Sequence, residues 1–174
     1  MPLTVYGTTA TRVNVSTNGI VALGALTTAY ANAALPQYAI APIAVFPCWD
    51  DLQISPNVPQ GIFYAVDDGD VGYRGTTFEF YESQYNNASF YYHFMLSFYE
   101  NLPNVVTIAY LNMTNSGSGA TSGIGSRTAA KYAQLSYNQP VLTSGRIVSF
   151  NFTSNTWYNG FPPSISAVPG ALYW

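Results

Sequence analysis

At 174 residues the chain has the length of one domain, enough to bury a sizeable core without disulfides. Charged residues make up only 7% of it and the net charge is -3. Arg12, Arg74, Arg127, Lys131 and Arg146 are scattered and leave no basic patch, which excludes the electrostatic footprint of nucleic-acid binding. Hydrophobic residues at 48% and aromatics at 16% exclude disorder, and no apolar run is long enough to cross a membrane. So few charges give little like-charge repulsion, which makes self-association physically easy.

The opening Met1-Pro2-Leu3-Thr4-Val5 lacks the basic and apolar regions of a signal peptide, so a leader is expected to have been trimmed from a secreted chain. Arg12 to Ser16 alternates apolar and polar residues, and Asn18-Gly19 reads as a hairpin turn into a strand at Ile20 to Leu23. Ala29 to Leu35 and Thr128 to Leu135 are the two short stretches with helical character. Gly61 to Val66 and Thr76 to Tyr81 form the next strand pair, joined by the turn-rich segment 67–75. Phe90 to Tyr99 sets Tyr92, Phe94, Leu96 and Phe98 on one face and Tyr91, His93, Met95 and Tyr99 on the other. A strand apolar on both faces is central or meets a partner.

Val105 to Leu111 is expected to pair antiparallel with that strand, after a turn at Glu100 to Asn104. The Gly/Ser/Thr-rich stretch 112–126 reads as a loop around a short strand at Thr121 to Ile124, and Ile147 to Phe152 is the last clear strand. Prolines bar Tyr158 to Pro163 from continuing a central strand. Many short strands without alternating helices predict an all-β fold, an antiparallel, jelly-roll-like β-sandwich with short helical or loop insertions. Residues 1–157 form this single domain, and 158–174 form an extended Pro/Gly/aromatic tail that docks on it or on a neighbouring copy.

The segment most suggestive of chemistry is Phe46-Pro47-Cys48-Trp49-Asp50-Asp51-Leu52. A proline before a turn, a tryptophan able to plug a sandwich end and carboxylates that accept backbone N–H bonds make a rigid corner. A second reading groups Asp50 and Asp51 with Asp67, Asp68 or Asp70 around calcium, which takes six to eight oxygens, although Asp67 to Asp70 lacks the terminal bidentate Glu of a calcium loop. A third recruits Asp50 with Glu79 or Glu82 as a glycosidase pair. Cys48, the single cysteine, sits among apolar neighbours and reads as a small buried hydrophobe. His93, the single histidine, alternates within a strand and reads as a hydrogen-bonded sheet residue.

The order Val15 to Leu23, Ala34-Leu35-Pro36 and Pro47 to Leu52 continues with Gln60 to Tyr64, Thr77 to Tyr81, Tyr92 to Glu100 and Ser122 to Gly125. Over residues 4 to 152 this resembles nidogen-like (NIDO-like) extracellular modules, especially those of secreted fungal and bacterial surface proteins. The resemblance implies an extracellular, non-catalytic domain of an adhesive or matrix protein, with no general catalytic residue set. Where such modules often carry a second aromatic before the Trp, this chain has Cys48, which points to a packing position.

Four sequons, at Asn14, Asn87, Asn112 and Asn151, fit a secreted chain whose glycans supply the hydration that charges do not. The expected function is a secreted surface or matrix protein that adheres or associates with itself through an exchanged strand or tail, building a filament. The alternative is a carbohydrate-binding module that stacks sugars on Tyr30, Tyr38, Tyr73, Tyr85 and Trp157. The expected partners are therefore further copies or extracellular glycans. No enzyme activity and no cofactor are expected, calcium being the one candidate.

Overall fold

Period-two alternation organises the computed structural model, which describes residues 1–67 and 69–162. One sheet contains β6 (Leu52–Gln53), β7 (Gly61–Val66), β8 (Gly75–Gln84), β9 (Asn87–Tyr99), β10 (Val105–Met113), β13 (Arg146–Asn151) and β14 (Thr156–Asn159). Its order is β14-β13-β10-β9-β8, and the far side of β8 is shared by β7 and β6. The second sheet contains β3 (Asn14–Ser16), β4 (Ile20–Ala22), β5 (Ile43–Trp49), β11 (Thr121–Ser126) and β12 (Lys131–Tyr137), in the order β12-β11-β5-β4-β3. Every ladder is antiparallel, and the two sheets face one another as a sandwich.

The faces that meet are those the alternation selects. Phe80, Phe94, Leu96, Ile108 and Phe150 from the wide sheet pack against Val21, Val45, Cys48 and Ile124 from the narrow one. Phe80 and Phe94 stack at 4.7 Å, and each buried Phe contributes about 1.5–3 kcal/mol. Tyr92, Phe94, Leu96 and Phe98, which the alternation groups on one face, turn out to be the inward row, which leaves His93 on the outer face, where its Nε2 meets Glu79 Oε1 at 2.7 Å.

The narrow sheet is covered on its outside as well. Ile20, Ala22, Ala44, Phe46 and Trp49 pack beneath Leu35, Ala41 and the partly buried Leu26, Ala29 and Ile40, so β5 and β11 are buried along their whole length. The cover is loop, not the helix predicted over 29–35. Its backbone is engaged elsewhere: Leu35 N–H donates to Gln134 Oε1 (2.9 Å) and Ala29 C=O accepts from Trp49 Nε1 (3.1 Å). The helix predicted over 128–135 is likewise replaced, by a turn and then β12, whose alternation packs Ala133 and Leu135 against the core and whose register slip against β11 buries Ser136 as well. Pairing with β11 overrides local propensity there.

The N-terminus closes the sandwich. β1 (Leu3–Val5) and β2 (Thr8–Ala10) form a hairpin whose turn puts Tyr6 (φ 48°) and Gly7 (φ 76°) in the left-handed region, the type I′ signature. Leu3 and Val5 are buried in the main core, and the Tyr6 hydroxyl bonds Asn155. The N-terminal strand is therefore taken up within its own chain. At the other end, β14 carries the wide sheet to Asn159, beyond the predicted boundary at 157. It is an edge strand, as the prolines after it require. The tail beyond Pro162 lies outside the described residues.

The Asn18-Gly19 turn is the tightest point of the fold. Gly19 has φ +69°, and a Cβ there would lie 2.0 Å from the Cys48 carbonyl oxygen. Gly145 has φ +81° with nothing within 4 Å of the same position. Gly145→Ala is therefore expected to cost only the left-handed strain, about 1–2 kcal/mol, whereas Gly19→Ala adds a backbone clash and costs more than about 3 kcal/mol. Urea midpoints of the two variants check this, and equal midpoints would refute the close approach.

Candidate functional site

The sheet-to-sheet crossing is the site to which the sequence pointed. β5 belongs to the narrow sheet and β6 to the wide one, so residues Asp50 and Asp51 carry the chain across the sandwich. Pro47 cannot donate to a ladder, and it sits where the pairing of β5 with β11 slips, between Phe46↔Gly123 and Trp49↔Thr121. The Pro47 carbonyl accepts from the buried Tyr110 hydroxyl of the opposite sheet (2.9 Å), which also pairs with Ser122 Oγ (2.8 Å). Burial pushes the Tyr110 phenol strongly upward, so it stays a neutral donor between the layers.

Trp49 is fully buried. Its Nε1 shares the Ala29 carbonyl with Asn18 Nδ2 (3.3 Å), while Asn18 Oδ1 accepts from Leu52 N–H (3.2 Å). Asp50 Oδ1 caps the Asp51 N–H at 2.8 Å, and the Asp51 carbonyl receives Tyr85 N–H at 2.7 Å. The Asp51 and Leu52 N–H groups at the crossing are thus both capped by side-chain oxygens, of Asp50 and Asn18, and the carboxylate cap is the one the architectural reading of Trp49-Asp50-Asp51 anticipated.

Two carboxyls near the corner, Asp50 and Glu82, are buried, and Asp51 is half-buried. Glu82 is 0% exposed, continues the inward row Phe78-Phe80 of β8, and neither of its oxygens has a protein hydrogen-bond partner. Burial raises its pKa to about 9. Asp50 is also shifted upward, first by burial and against the pull of the Asp51 N–H, and its Oδ2 lacks a protein partner. Burial pushes the Cys48 thiol well up, reinforced by Asp50 and Glu82. Glu82 and Asp50 thus have the raised pKa of general acids, and both side chains are buried. The inward parity of Glu82 could be read from the β8 alternation; its lack of a partner could not.

The remaining candidates lie apart. Asp51 borders Tyr85 at one end of β8, and Asp67 borders Gly75 at the other, through Asp67 N–H to the Gly75 carbonyl (2.9 Å). Ten residues of β8 separate them, a span of roughly 30 Å, so Asp50 and Asp51 cannot share a calcium ion with Asp67 or Asp70. Asp68 lies outside the described residues. Among the described residues no three His, Cys, Asp or Glu side chains group to hold a metal. Of the two carboxylate pairs that the sequence offered with Asp50, Glu79 is turned to the outer face, where it pairs with His93, whereas Glu82 and Asp50 are both buried and both act on Cys48.

The aromatic candidates are also dispersed. Tyr73 and Tyr85 flank opposite ends of β8, and Tyr38 lies against Gly125 of the narrow sheet with its hydroxyl on Lys131 C=O (3.3 Å). Tyr30 is exposed in the covering loop. Trp157 is not in a loop but on β14, 4.8 Å from the Phe150 ring. Of the sequons, Asn14 and Asn112 are exposed, and Asn87 and Asn151 half-buried. Asn151 Oδ1 already holds the Thr153 and Ser154 N–H groups at 2.8 and 3.1 Å.

Fold and corner together define an antiparallel sandwich module. The sequence profile of the family described as NIDO related matches residues 1–162, and the chain belongs to this nidogen-related family. Neither the comparison with curated proteins nor that with solved structures returns a match. Among the described residues no helix is long and apolar enough to cross a membrane.

Glu82 sets the pH dependence of stability. Its unfolded-state pKa is near 4.5 and its folded-state value about 9, so between these limits the folded state holds a proton that the unfolded state has released. Stability is full below pH 4.5 and falls by about 1.4 kcal/mol per pH unit towards 9. The half-buried Glu100 acts oppositely. Hydrogen bonds from Arg74 and from the Gly72 N–H lower it to about 2, so its contribution is lost only as the pH drops from 4.5 towards 2. Maximum stability is expected near pH 4–5. Chemical denaturation of wild type and Glu82→Gln at pH 5, 7 and 9 tests this: the alkaline slope should flatten in the variant, and superimposable profiles would refute the assignment.

Proposed function

We propose that this nidogen-related chain is a non-catalytic, extracellular structural or adhesive module that works by associating with copies of itself. The observation that carries the reading is a run of exposed apolar side chains along one border of the wide sheet. Tyr64 is 74% and Phe63 55% exposed, and Ile54, Val58, Val66, Val71 and Tyr73 extend the exposed run on β7 and its flanking loops. Such a grouping on a soluble domain marks an interaction surface.

Low charge supports the same reading. Among the described residues the ion pairs are Arg74–Glu100 and His93–Glu79, so little electrostatic repulsion opposes contact between copies. The raised carboxyls are sealed in the core, which favours a non-catalytic role. Family membership supports placement outside the cell, where glycans at the exposed Asn14 and Asn112 would hydrate a surface poor in charge. A carbohydrate-binding role is the weaker reading, because the candidate rings do not converge on one platform.

Sedimentation velocity over a concentration series, at low and high salt, tests the proposal. The expected result is assembly that grows with concentration and persists in high salt, since apolar contacts are not screened. A monodisperse monomer under every condition would overturn it.

A further inference from the structure

The edges of the two sheets are not equivalent. β3 is three residues long, β6 two and β14 four. The seven-residue β12 begins with Lys131, a charge of the kind that guards an edge. β7 alone presents six residues, Gly61-Ile62-Phe63-Tyr64-Ala65-Val66, with no charge, no proline and no slip in its register with β8. Asp67 N–H bonds the Gly75 carbonyl, so by antiparallel alternation Phe63 and Ala65 bond β8 while Ile62, Tyr64 and Val66 direct N–H and C=O groups away from it. That is a template for an added strand.

The chain itself contains a segment suited to this edge. Beyond the last described residue, Pro162, the sequence continues Pro163-Ser164-Ile165-Ser166-Ala167-Val168-Pro169. Two prolines bracket five uncharged residues that all keep their N–H donors, with Ile165 and Ala167 sharing one face of any extended pairing. The described chain stops next to β14, at the opposite border of the same sheet. From there β7 of the same chain is five strand spacings away, roughly 24 Å. Val168, six residues past Pro162, reaches at most roughly 20 Å.

We infer that residues Ser164–Val168 of one copy pair with the free edge of β7 in a second copy. The contact is heterologous, donor border to acceptor border, and so propagates as a filament or ring instead of stopping at a dimer. None of the four sequons lies on β7, so glycans leave the edge clear. The inference rests on the self-association reading and adds to it a donor, an acceptor and a polarity.

Two defects in the full chain test it. Tyr64→Pro removes an outward N–H without touching the β8 ladder, and Tyr64→Lys with Val66→Lys guards the edge by charge should the proline disturb folding. Ile165→Asp with Val168→Asp disables the donor. Wild type is expected to assemble, and each variant alone to sediment as a monomer with native circular dichroism. An equimolar mixture of an acceptor-defective and the donor-defective variant should give a heterodimer and nothing larger, because it retains one live donor and one live acceptor. Assembly of the donor-defective variant to wild-type size, or of both β7 variants, would overturn the inference while leaving self-association standing. A monomeric wild type would remove both readings.

Discussion

The fold depends on how the chain passes from one sheet to the other between Trp49 and Leu52. A crossing strands backbone polar groups between two apolar faces, where each unpaired donor or acceptor costs about 1–3 kcal/mol. Here the Asn18-Gly19 turn meets that demand. Gly19 lets the turn approach the Cys48 carbonyl, and this contact brings the Asn18 amide within reach of both Leu52 N–H and the Ala29 carbonyl. The Ala29 carbonyl in turn fixes the Trp49 indole. One hairpin turn, one covering loop and one crossing thereby share a single polar network, and the slip at Pro47 adds the Tyr110 tie from the far sheet. Networks of this kind rigidify a fold when their members are paired, and the glycine at position 19 is required for this one, because a Cβ there would strike the Cys48 carbonyl.

Much of this was legible in the residues. The parity of Tyr92, Phe94, Leu96 and Phe98 grouped the row that faces inward from β9, and Asn-Gly identified the hairpin, because both signals are local and follow directly from backbone geometry. Cys48 among aromatics read correctly as packing. The two helical readings failed for non-local reasons. Alanine content at 29–35 and the spacing of Tyr132 and Leu135 favour helix in isolation, yet the backbone of the first is claimed by Gln134 and Trp49 and that of the second by β11. The calcium grouping failed similarly, since the length of β8 holds apart acidic residues that sequence proximity brings together. β14, which carries Trp157, was not foreseen, because a four-residue edge strand before a proline-rich stretch carries almost no periodic signal.

With so few charges, the sandwich relies on neutral pairs where other domains use ions. Thr77 and Ser97 pair at 2.9 Å, and Thr107 and Ser149 also at 2.9 Å, across neighbouring strands of the wide sheet. Buried hydroxyl pairs avoid the several-kcal/mol desolvation cost of an ion and do not weaken with salt. The buried Glu82 follows the same rule: sealed in the core, with its pKa raised to about 9, it is held as a neutral acid at mildly acidic pH and adds no charge to the interior. A scaffold stabilised in this way tolerates changes of ionic strength, and its surface offers little repulsion to a neighbouring copy.

The polarity of the wide sheet decides what kind of assembly such a surface can build. Identical edges meeting across a twofold axis close into a dimer, whereas unlike edges leave one of each kind open after every addition. In this chain the borders differ in length and neighbours: β14 is four residues long and leads into the proline-bracketed segment, while β7 is six residues long and ends at an acidic turn. The acidic turn at Asp67 and Asp70 and the two-residue β6 bound the open edge at its two ends, fixing the register in which a five-residue strand can sit. An edge bounded in this way offers room for a short added strand and little for indefinite lateral growth, which is the physical difference between the proposed head-to-tail assembly and the aggregation that an unprotected apolar strand otherwise invites.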